Sequence, residues 1–582
     1  MAEDLEKQTR QRLRDEEVLD RDRQKNRDEI ARLQSNQAAV DNDEVPVEKI
    51  SEKTHRIVVE VQEKPKKAPK AKFRLIQVGT QAWPVDEWDL DPKLQSVLVT
   101  TAATFPARPS AHYAVFTDEI LAGPDVLAIV KRLPPFSIIY ASTTVDPEIA
   151  DVLRKKAAFF VPGAGHALFQ TIVDNFFMGQ RGIHSGVTEA LDIAETFTGS
   201  VERRGRFQMT LSGDFGPTST LQQVVTWHPI SVEKFETVLA GMNGIFLDAG
   251  DKKVYLEGNQ RGDVYWEWHV EFIQPDGKLV QFVIPMTESL QEHVFPDVHP
   301  FYSFQMSLWI SGQGEVDFNR VIVRRSRSTY GTLLPGDEKQ MTSTGDEVLS
   351  YFNPGDLKPP LLVSFTGSRL YGDGFEMMSV YGRHKLPYLL FTDSRTQGGA
   401  FMVGTPEYEQ LVINKIREKL QWLGFDEHDV VFQGYSMGSF PALYYARHFK
   451  PQGIIVSKAI VNLGTFSGQD GFAHGGTKDW PLDMRRHLFG RVLRADTPVI
   501  DQKLWQSMDQ VDWTQVATYV FSLAQDEYDG QSLPQLLRFI KDRGGSVEHF
   551  WLDGDHLAHT DEMINFVEGK LELLIKRRRA TL

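Results

Sequence analysis

Five residues, Gly434-Tyr435-Ser436-Met437-Gly438, constrain the fold more than any other part of the chain. On its own G-x-S-x-G recurs by chance in long sequences, because glycine and serine are both common. Its setting makes it specific. The apolar run Asp429 to Phe432 precedes it, and a helical pattern through Ala442, Leu443 and Tyr445 follows. A strand that turns directly into a helix over a serine leaves no room for side chains at the flanking positions. Glycine fits there, and Ser436 stands above the sheet as a nucleophile.

A serine hydroxyl is a weak nucleophile at neutral pH, so it needs a base, and the base needs an orienting acid. In a fold of this kind the chain order is serine, acid, histidine. After the apolar run Thr518 to Leu523 comes Gln525-Asp526-Glu527-Tyr528-Asp529, and after the run Val547 to Trp551 comes Gly554-Asp555-His556-Leu557-Ala558-His559. Asp526 is the first choice of acid, with Glu527 and Asp529 open as alternatives. His556 is preferred to His559 because it lies closer to its strand. A tetrahedral intermediate also needs two N–H donors. One is the backbone of Met437. The other belongs to Gly367 or Ser368, in the loop after the run Leu361 to Phe365.

The surrounding pattern predicts the fold class. The runs Leu361 to Phe365, Tyr388 to Thr392, Asp429 to Phe432, Gly453 to Val456, Thr518 to Leu523 and Val547 to Trp551 are nearly continuous in apolar residues, with helical stretches between them. Such strands are buried on both faces, as in a parallel sheet covered by helices, so residues 345–575 read as an α/β-hydrolase domain. One helix is marked in full: Thr405 as cap, Pro406 at the first helical position, Val412, Ile416, Leu420 and Leu423 on one face, and Gly424 as stop.

Three further regions precede it, which suits 582 residues at roughly 150 per domain. Residues 1–71 form a charged arm without a sustained heptad, read as disordered or as a solvated helix. Residues 72–196 alternate short apolar runs with helical periods, as in a small α/β domain. The Gly163-Ala164-Gly165 turn there has Leu168 where a dinucleotide fingerprint needs glycine, so it reads as an ordinary strand-to-helix turn. Residues 199–327 are strand-rich. Val264, Trp266, Trp268, Val270 and Phe272 alternate with polar or amphipathic neighbours, and Pro275-Asp276-Gly277 marks a hairpin. This predicts a jelly-roll-like β-sandwich whose aromatics serve either as core or as a carbohydrate-facing surface.

Composition excludes other chemistries. The chain has no cysteine, so disulfides, thiolate metal sites and cysteine catalysis are ruled out. A net charge of -15 opposes general binding to nucleic acid or anionic lipid. There is no H-E-x-x-H or phosphate-loop motif, and His293 and His299 stand in a proline-rich strand loop, so neither a metal nor a tightly bound cofactor is expected. No secretion signal or run of ~20 apolar residues is present, which predicts a cytoplasmic protein without a transmembrane segment.

The blocks Ser350-Tyr-Phe-Asn-Pro-Gly-Asp-Leu-Lys-Pro-Pro360, Gly398-Gly-Ala-Phe401, the elbow through Tyr445, and Val461-Asn-Leu-Gly464 carry a family resemblance. Arg74 to Gly79, Gly179 to Gly182 and Ser326-Arg327 carry it further toward the N-terminus. Over about residues 72 to 575 the chain resembles the second accessory secretory protein of the accessory Sec export system of Gram-positive bacteria. The resemblance implies an O-acetyltransferase acting on N-acetylglucosamine of serine-rich-repeat adhesins, with an acetyl donor as co-substrate. It also implies partnership with two other accessory secretory proteins and the accessory motor ATPase, peripheral to the membrane translocon. The family's catalytic serine, acid and histidine fall on Ser436, Asp526 and His556. The sequence departs from the family pattern at Tyr435, where a leucine is usual, at Pro441, where a glycine is usual, and at Leu557 and Ala558, where polar residues follow the histidine. The last departure bears on acceptor specificity. A carbohydrate esterase and a non-catalytic adhesin chaperone or scaffold are the competing readings.

Overall fold

The computed structural model describes residues 74–581 except 89–95, 101–103, 107–111, 178–181, 187–191, 194–196, 205–207, 230–245, 248–251, 274–277, 289–290, 296–302, 370–371, 397, 469–479 and 491–493. The charged arm expected at 1–71 lies outside the described residues.

The first region is a parallel sheet. Its strands are β1 (Arg74–Val78), β2 (Ser96–Thr100), β3 (Tyr113–Phe116), β4 (Ile138–Tyr140) and β5 (Phe159–Phe160), in the spatial order β2-β1-β3-β4-β5. Helices α1 (Pro124–Arg132), α2 (Pro147–Lys155) and α3 (Gly165–Phe176) bury Ile129, Val130, Ile149, Leu153, Leu168 and Ile172 against it. Asp146 caps α2 through the N–H groups of Glu148 and Ile149, with Pro147 at its first turn.

The second region departs from the predicted jelly roll. Strands β6 (Gly182–Gly186), β7 (Thr198–Arg204), β8 (Gln208–Pro229), β9 (Lys252–Ile273), β10 (Leu279–Pro285) and β11 (Ser303–Arg325) belong to one hydrogen-bonded sheet, not two. Its main path runs β7-β8-β11-β9-β10, and β6, which precedes residue 199, pairs with β11. Three strands are 22 or 23 residues long, and glycines cross them in a line: Gly213 and Gly262 both pair with Gly314, and Gly216 pairs with Gly312. A Cβ on Gly312 would lie 2.1 Å from the Asp263 carbonyl oxygen, and its φ of +91° already favours glycine. At this line the sheet folds over on itself. Trp266, four residues after Gly262, packs over Gly258, four residues before it, and meets Phe318 edge to face at 5.1 Å. Two layers therefore form from single strands, and no jelly-roll crossover is needed. Val264, Trp266, Trp268 and Val270 are buried in the fold and Tyr265 is exposed, so the two large indoles serve as core.

The third region is an eight-stranded sheet in the order β12-β13-β15-β14-β16-β17-β18-β19. Its strands are β12 (Glu338–Met341), β13 (Glu347–Asn353), β14 (Leu361–Phe365), β15 (Tyr388–Thr392), β16 (Val430–Tyr435), β17 (Gly453–Ser457), β18 (Ala517–Leu523) and β19 (Ser546–Leu552). The first two are antiparallel, and all pairings from β15 onward are parallel. This strand order is that of an α/β-hydrolase. Helices α4 (Met378–His384), α5 (Pro406–Leu423), α6 (Ser439–Tyr444), α7 (Leu463–Gly468), α8 (Trp480–Phe489), α9 (Thr497–Met508), α10 (Leu533–Asp542) and α11 (Thr560–Arg579) complete it. Thr405 caps α5 and Gly424, at φ +71°, ends it. The sheet begins at Glu338, earlier than residue 345, because β12 and β13 carry charges that mask a strand pattern. Within β13, Glu347 is fully buried and ion-paired by Arg324 of β11, whose Nη1 donates over 2.9 Å and whose Nε reaches Asp373 over 2.8 Å.

Candidate active site

Ser436 follows the last residue of β16 with φ +51°, a left-handed conformation that costs a non-glycine residue energy and persists only where its surroundings enforce it. Both flanking glycines enforce it. A Cβ on Gly434 would lie 1.9 Å from the Gly438 oxygen, and one on Gly438 would lie 2.1 Å from the Phe365 oxygen. The buried Ser439 hydroxyl fastens the turn: it donates to the Ser436 carbonyl and accepts the Ile460 N–H over 3.1 Å.

Ser436 Oγ lies 2.8 Å from His556 Nε2. On the other side of the ring, His556 Nδ1 lies 3.0 and 2.9 Å from the two oxygens of Asp526. The side chains of His556 and Asp526 are each 5% exposed, so the pair is shielded from competing water. With Nδ1 as donor to the carboxylate, Nε2 is left with a lone pair facing the serine hydroxyl.

The neighbouring carboxylates have other tasks. Glu527 accepts the backbone N–H of His556 over 3.0 Å and so holds the histidine loop. Asp529 accepts the N–H groups of Val461 and Asn462 over 2.6 and 2.8 Å and the hydroxyl of Ser532, tying the acid loop to the segment beyond β17. Burial raises its pKa to about 6, although those hydrogen bonds favour the charged form. His559 turns away, with Nε2 2.8 Å from the Asp553 carbonyl oxygen.

The two candidate oxyanion donors stand on adjoining segments. Met437 is buried in the turn after Ser436, and Gly438 abuts the Phe365–Thr366 backbone that leads into Gly367. Gly367 must be glycine, because a Cβ there would meet the Tyr435 ring at 2.7 Å. The Ser368 hydroxyl is committed to the Gly398 carbonyl over 2.8 Å.

Sequence reasoning missed three contributors. Tyr528 sets its ring edge to face on the His556 imidazole, with centroids 4.3 Å apart at 89°, and fixes the ring plane. Lys458, buried at the end of β17, donates Nζ to the Ala558 carbonyl over 2.7 Å, bracing the loop behind His556. Burial lowers its pKa, and Asp526 and Asp555 partly offset this. Tyr435 donates its hydroxyl to Glu376, which also accepts from Arg369 Nη1 over 3.1 Å, so a polar chain backs the Gly367 loop. A lysine just past an apolar strand was the available signal for Lys458. Glu376 and Arg369 lie in loops whose sequence carries no pattern.

Among the described residues there is no group of three or more histidine, aspartate or glutamate side chains arranged to hold a metal, and no helix long and apolar enough to cross a membrane.

The chain is 31% identical to an accessory Sec system protein of Staphylococcus aureus over 65% of its own length and 70% of that protein's. It is 24% identical to the corresponding protein of Streptococcus gordonii over 87% of its length and 99% of that protein's. Among solved structures, a chain of the glycosylation-associated Gap123 complex of Streptococcus agalactiae shares the fold, with a TM-score of 0.71, 22% identity, and coverage of 86% of this chain and 98% of that one. A family model described as the accessory Sec system GspB-transporter matches residues 124–574. That match takes in most of the chain, and the protein therefore belongs to this accessory Sec family.

Proposed function

We propose that the chain is an O-acetyltransferase with Ser436, His556 and Asp526 as its catalytic triad, acting on N-acetylglucosamine of serine-rich-repeat adhesins within the accessory Sec system. One observation carries the reading: the serine hydroxyl and the aspartate sit on opposite nitrogens of one shielded imidazole, at 2.8 and 2.9 Å. In the first half-reaction Ser436 Oγ attacks the carbonyl carbon of the acetyl donor while His556 Nε2 takes the hydroxyl proton. The Met437 and Gly367 N–H groups receive the developing oxyanion. As the bond to the leaving group breaks, His556 returns the proton to it, leaving acetyl-Ser436. In the second half a sugar hydroxyl attacks the acetyl carbon, Nε2 takes its proton, and the proton passes to Oγ as the serine ester breaks. Asp526 accepts from Nδ1–H throughout and stabilises the imidazolium.

Water in place of the sugar would make the same site an esterase, so the acceptor decides the class. Partnership with two other accessory secretory proteins and the motor ATPase, on the cytoplasmic side and peripheral to the translocon, belongs to the same proposal. The fold shared with a chain of the Gap123 complex supports the partnership with other accessory proteins. The test is mass spectrometry of an adhesin co-expressed with the wild-type chain or with Ser436→Ala. Acetyl groups on its N-acetylglucosamine should appear with the first and vanish with the second. Equal acetylation in both would reduce the chain to a scaffold.

A further inference from the structure

A cavity of ≈ 280 Å³ opens where the first region meets the hydrolase sheet. It is remote from Ser436. Phe352 and Pro354 line it at the end of β13, where Asn353 pairs with Tyr388, the first residue of β15. Tyr388 is level with Leu362 of β14, and Leu361 with Val430, whereas Ser436 follows the opposite end of β16. About five residues of strand, or roughly 16 Å, separate the two levels along the sheet alone.

The walls are aromatic and the polar groups are few. Trp422 and Phe352 meet edge to face at 5.4 Å on the hydrolase side, and Phe136 and Phe159 lie 5.8 Å apart on the other. Arg154 sits over the Trp422 ring at 5.9 Å. Lys419, only 8% exposed, holds its ammonium 2.6 Å from Glu338 and 2.7 Å from Glu418, and Glu338 also accepts from Lys415 over 2.7 Å, so a cluster of donors and acceptors stands at one wall. The backbone is bent to make the opposite wall. Phe136 and Ala157, both lining residues, hold left-handed φ angles of +58° and +49°, and the Phe136 N–H is fastened to the Lys156 carbonyl over 2.9 Å. Left-handed backbone at two non-glycine residues of one cavity is the kind of strain that clusters at ligand sites.

We propose that this cavity is a binding site for a single neutral saccharide ring, separate from the acyl-transfer site. Adjacent sugar hydroxyls each donate and accept, which matches an ammonium beside a carboxylate better than a strong anion would, since Glu338 opposes negative charge. The flat C–H face of the ring matches Trp422. The volume lies just under the ~300–1,000 Å³ of pockets for drug-sized ligands, which leaves room for one ring. Placement at an interface between structural regions is the usual setting for such a site.

The inference uses the acetyltransferase reading only to choose the probe, N-acetylglucosamine. Saturation-transfer NMR on the full chain should show signal on the sugar ring with the wild type. It should persist after Ser436 is blocked by a fluorophosphonate and, with Ser436 blocked in every sample so that the acyl site takes up no sugar, fall in Arg154→Ala and vanish in Trp422→Ala. Fluorophosphonate labelling of Ser436 in Trp422→Ala should match wild type, which certifies its fold. Arg154 is exposed, so its loss keeps the test open if Trp422→Ala fails to fold. No signal with wild type, signal surviving in both variants, or signal abolished by blocking Ser436 would each overturn the proposal, the last by putting the sugar at the acyl site. Failure of Ser436 to label at all would count against the acetyltransferase reading and leave this site standing.

Discussion

The folded-over sheet of β7 to β11 and the hydrolase sheet of β12 to β19 solve one problem in two ways. Each must cover apolar strand faces. The hydrolase sheet does so with helices on both sides, so its strands can be apolar throughout, and the loops at their ends are left to carry Ser436, Asp526 and His556. The other sheet covers one face with itself, bending at the Gly213, Gly262 and Gly314 line, and leaves the other face to solvent at Tyr265, Val283 and Val201. The lesson concerns where polar groups can stand. A sheet wrapped in helices offers chemistry at its strand ends, while a sheet closed on itself pairs the charges it buries, within the sheet as Arg320 does with Glu257 and across to the next region as Arg324 does with Glu347.

The contrast is sharpest at the strand ends. Asp526→Asn should lower turnover by on the order of 10⁴ at neutral pH with the fold intact, because the amide no longer fixes the productive imidazole tautomer. Glu527→Gln should retain most activity, since its oxygen still accepts the His556 N–H. Steady-state rates on an activated acetyl ester decide between them. An active Asp526→Asn beside an inactive, folded Glu527→Gln would shift the acid by one residue.

Much of this site could be read from the chain because a serine held in a tight strand-to-helix turn, with a histidine and a carboxylate in reach, restricts residue types at fixed places. A serine between two glycines, an acid after one strand and a histidine after the next leave few choices. The three carboxylates at 526, 527 and 529 could be narrowed but not separated, since their difference lies in which group each one meets: Asp526 the His556 ring, Glu527 the His556 backbone N–H, and Asp529 the N–H groups of Val461 and Asn462. The β-sandwich was half legible. Alternation in Val264 to Val270 marks which face is buried but not what covers it, and a strand folding onto itself looks the same as two sheets facing each other. Strand β13 was missed because it opens on Glu347, and a fully buried glutamate makes sense only once Arg324, 23 residues earlier, is placed against it.

That pairing gives the next largest effect. Burial alone would raise the Glu347 pKa, but Arg324 holds its carboxyl well below the usual range. Arg324→Met would take from fully buried Glu347 the guanidinium that pairs with it, and should cost about 3–5 kcal/mol of stability in a denaturant titration. Restoring part of that loss with a second change, Glu347→Gln, would show that the penalty is charge left unpaired. If Arg324→Met is neutral, the two sheets are not joined through this pair.

The smallest effect separates the two kinds of buried carboxylate by pH. Asp529, inside the hydrolase region, leans on the backbone N–H groups of Val461 and Asn462 and not, among the described residues, on an arginine, and burial lifts its pKa to about 6 from the ordinary 3.8. A carboxyl whose folded pKa is raised adds stability that is complete below the unfolded value and is lost as pH rises through the folded one. Its contribution should therefore be present near pH 4 and decay through about pH 6. Asp529→Asn cannot ionise, so it lacks that arm. Relative to wild type it should gain on the order of 2–3 kcal/mol between pH 4 and pH 7. Paired melts of the two proteins across that range measure it directly. A stability difference that does not change with pH would mean that Asp529 stays charged in the fold, held by its hydrogen bonds as firmly as Glu347 is held by Arg324.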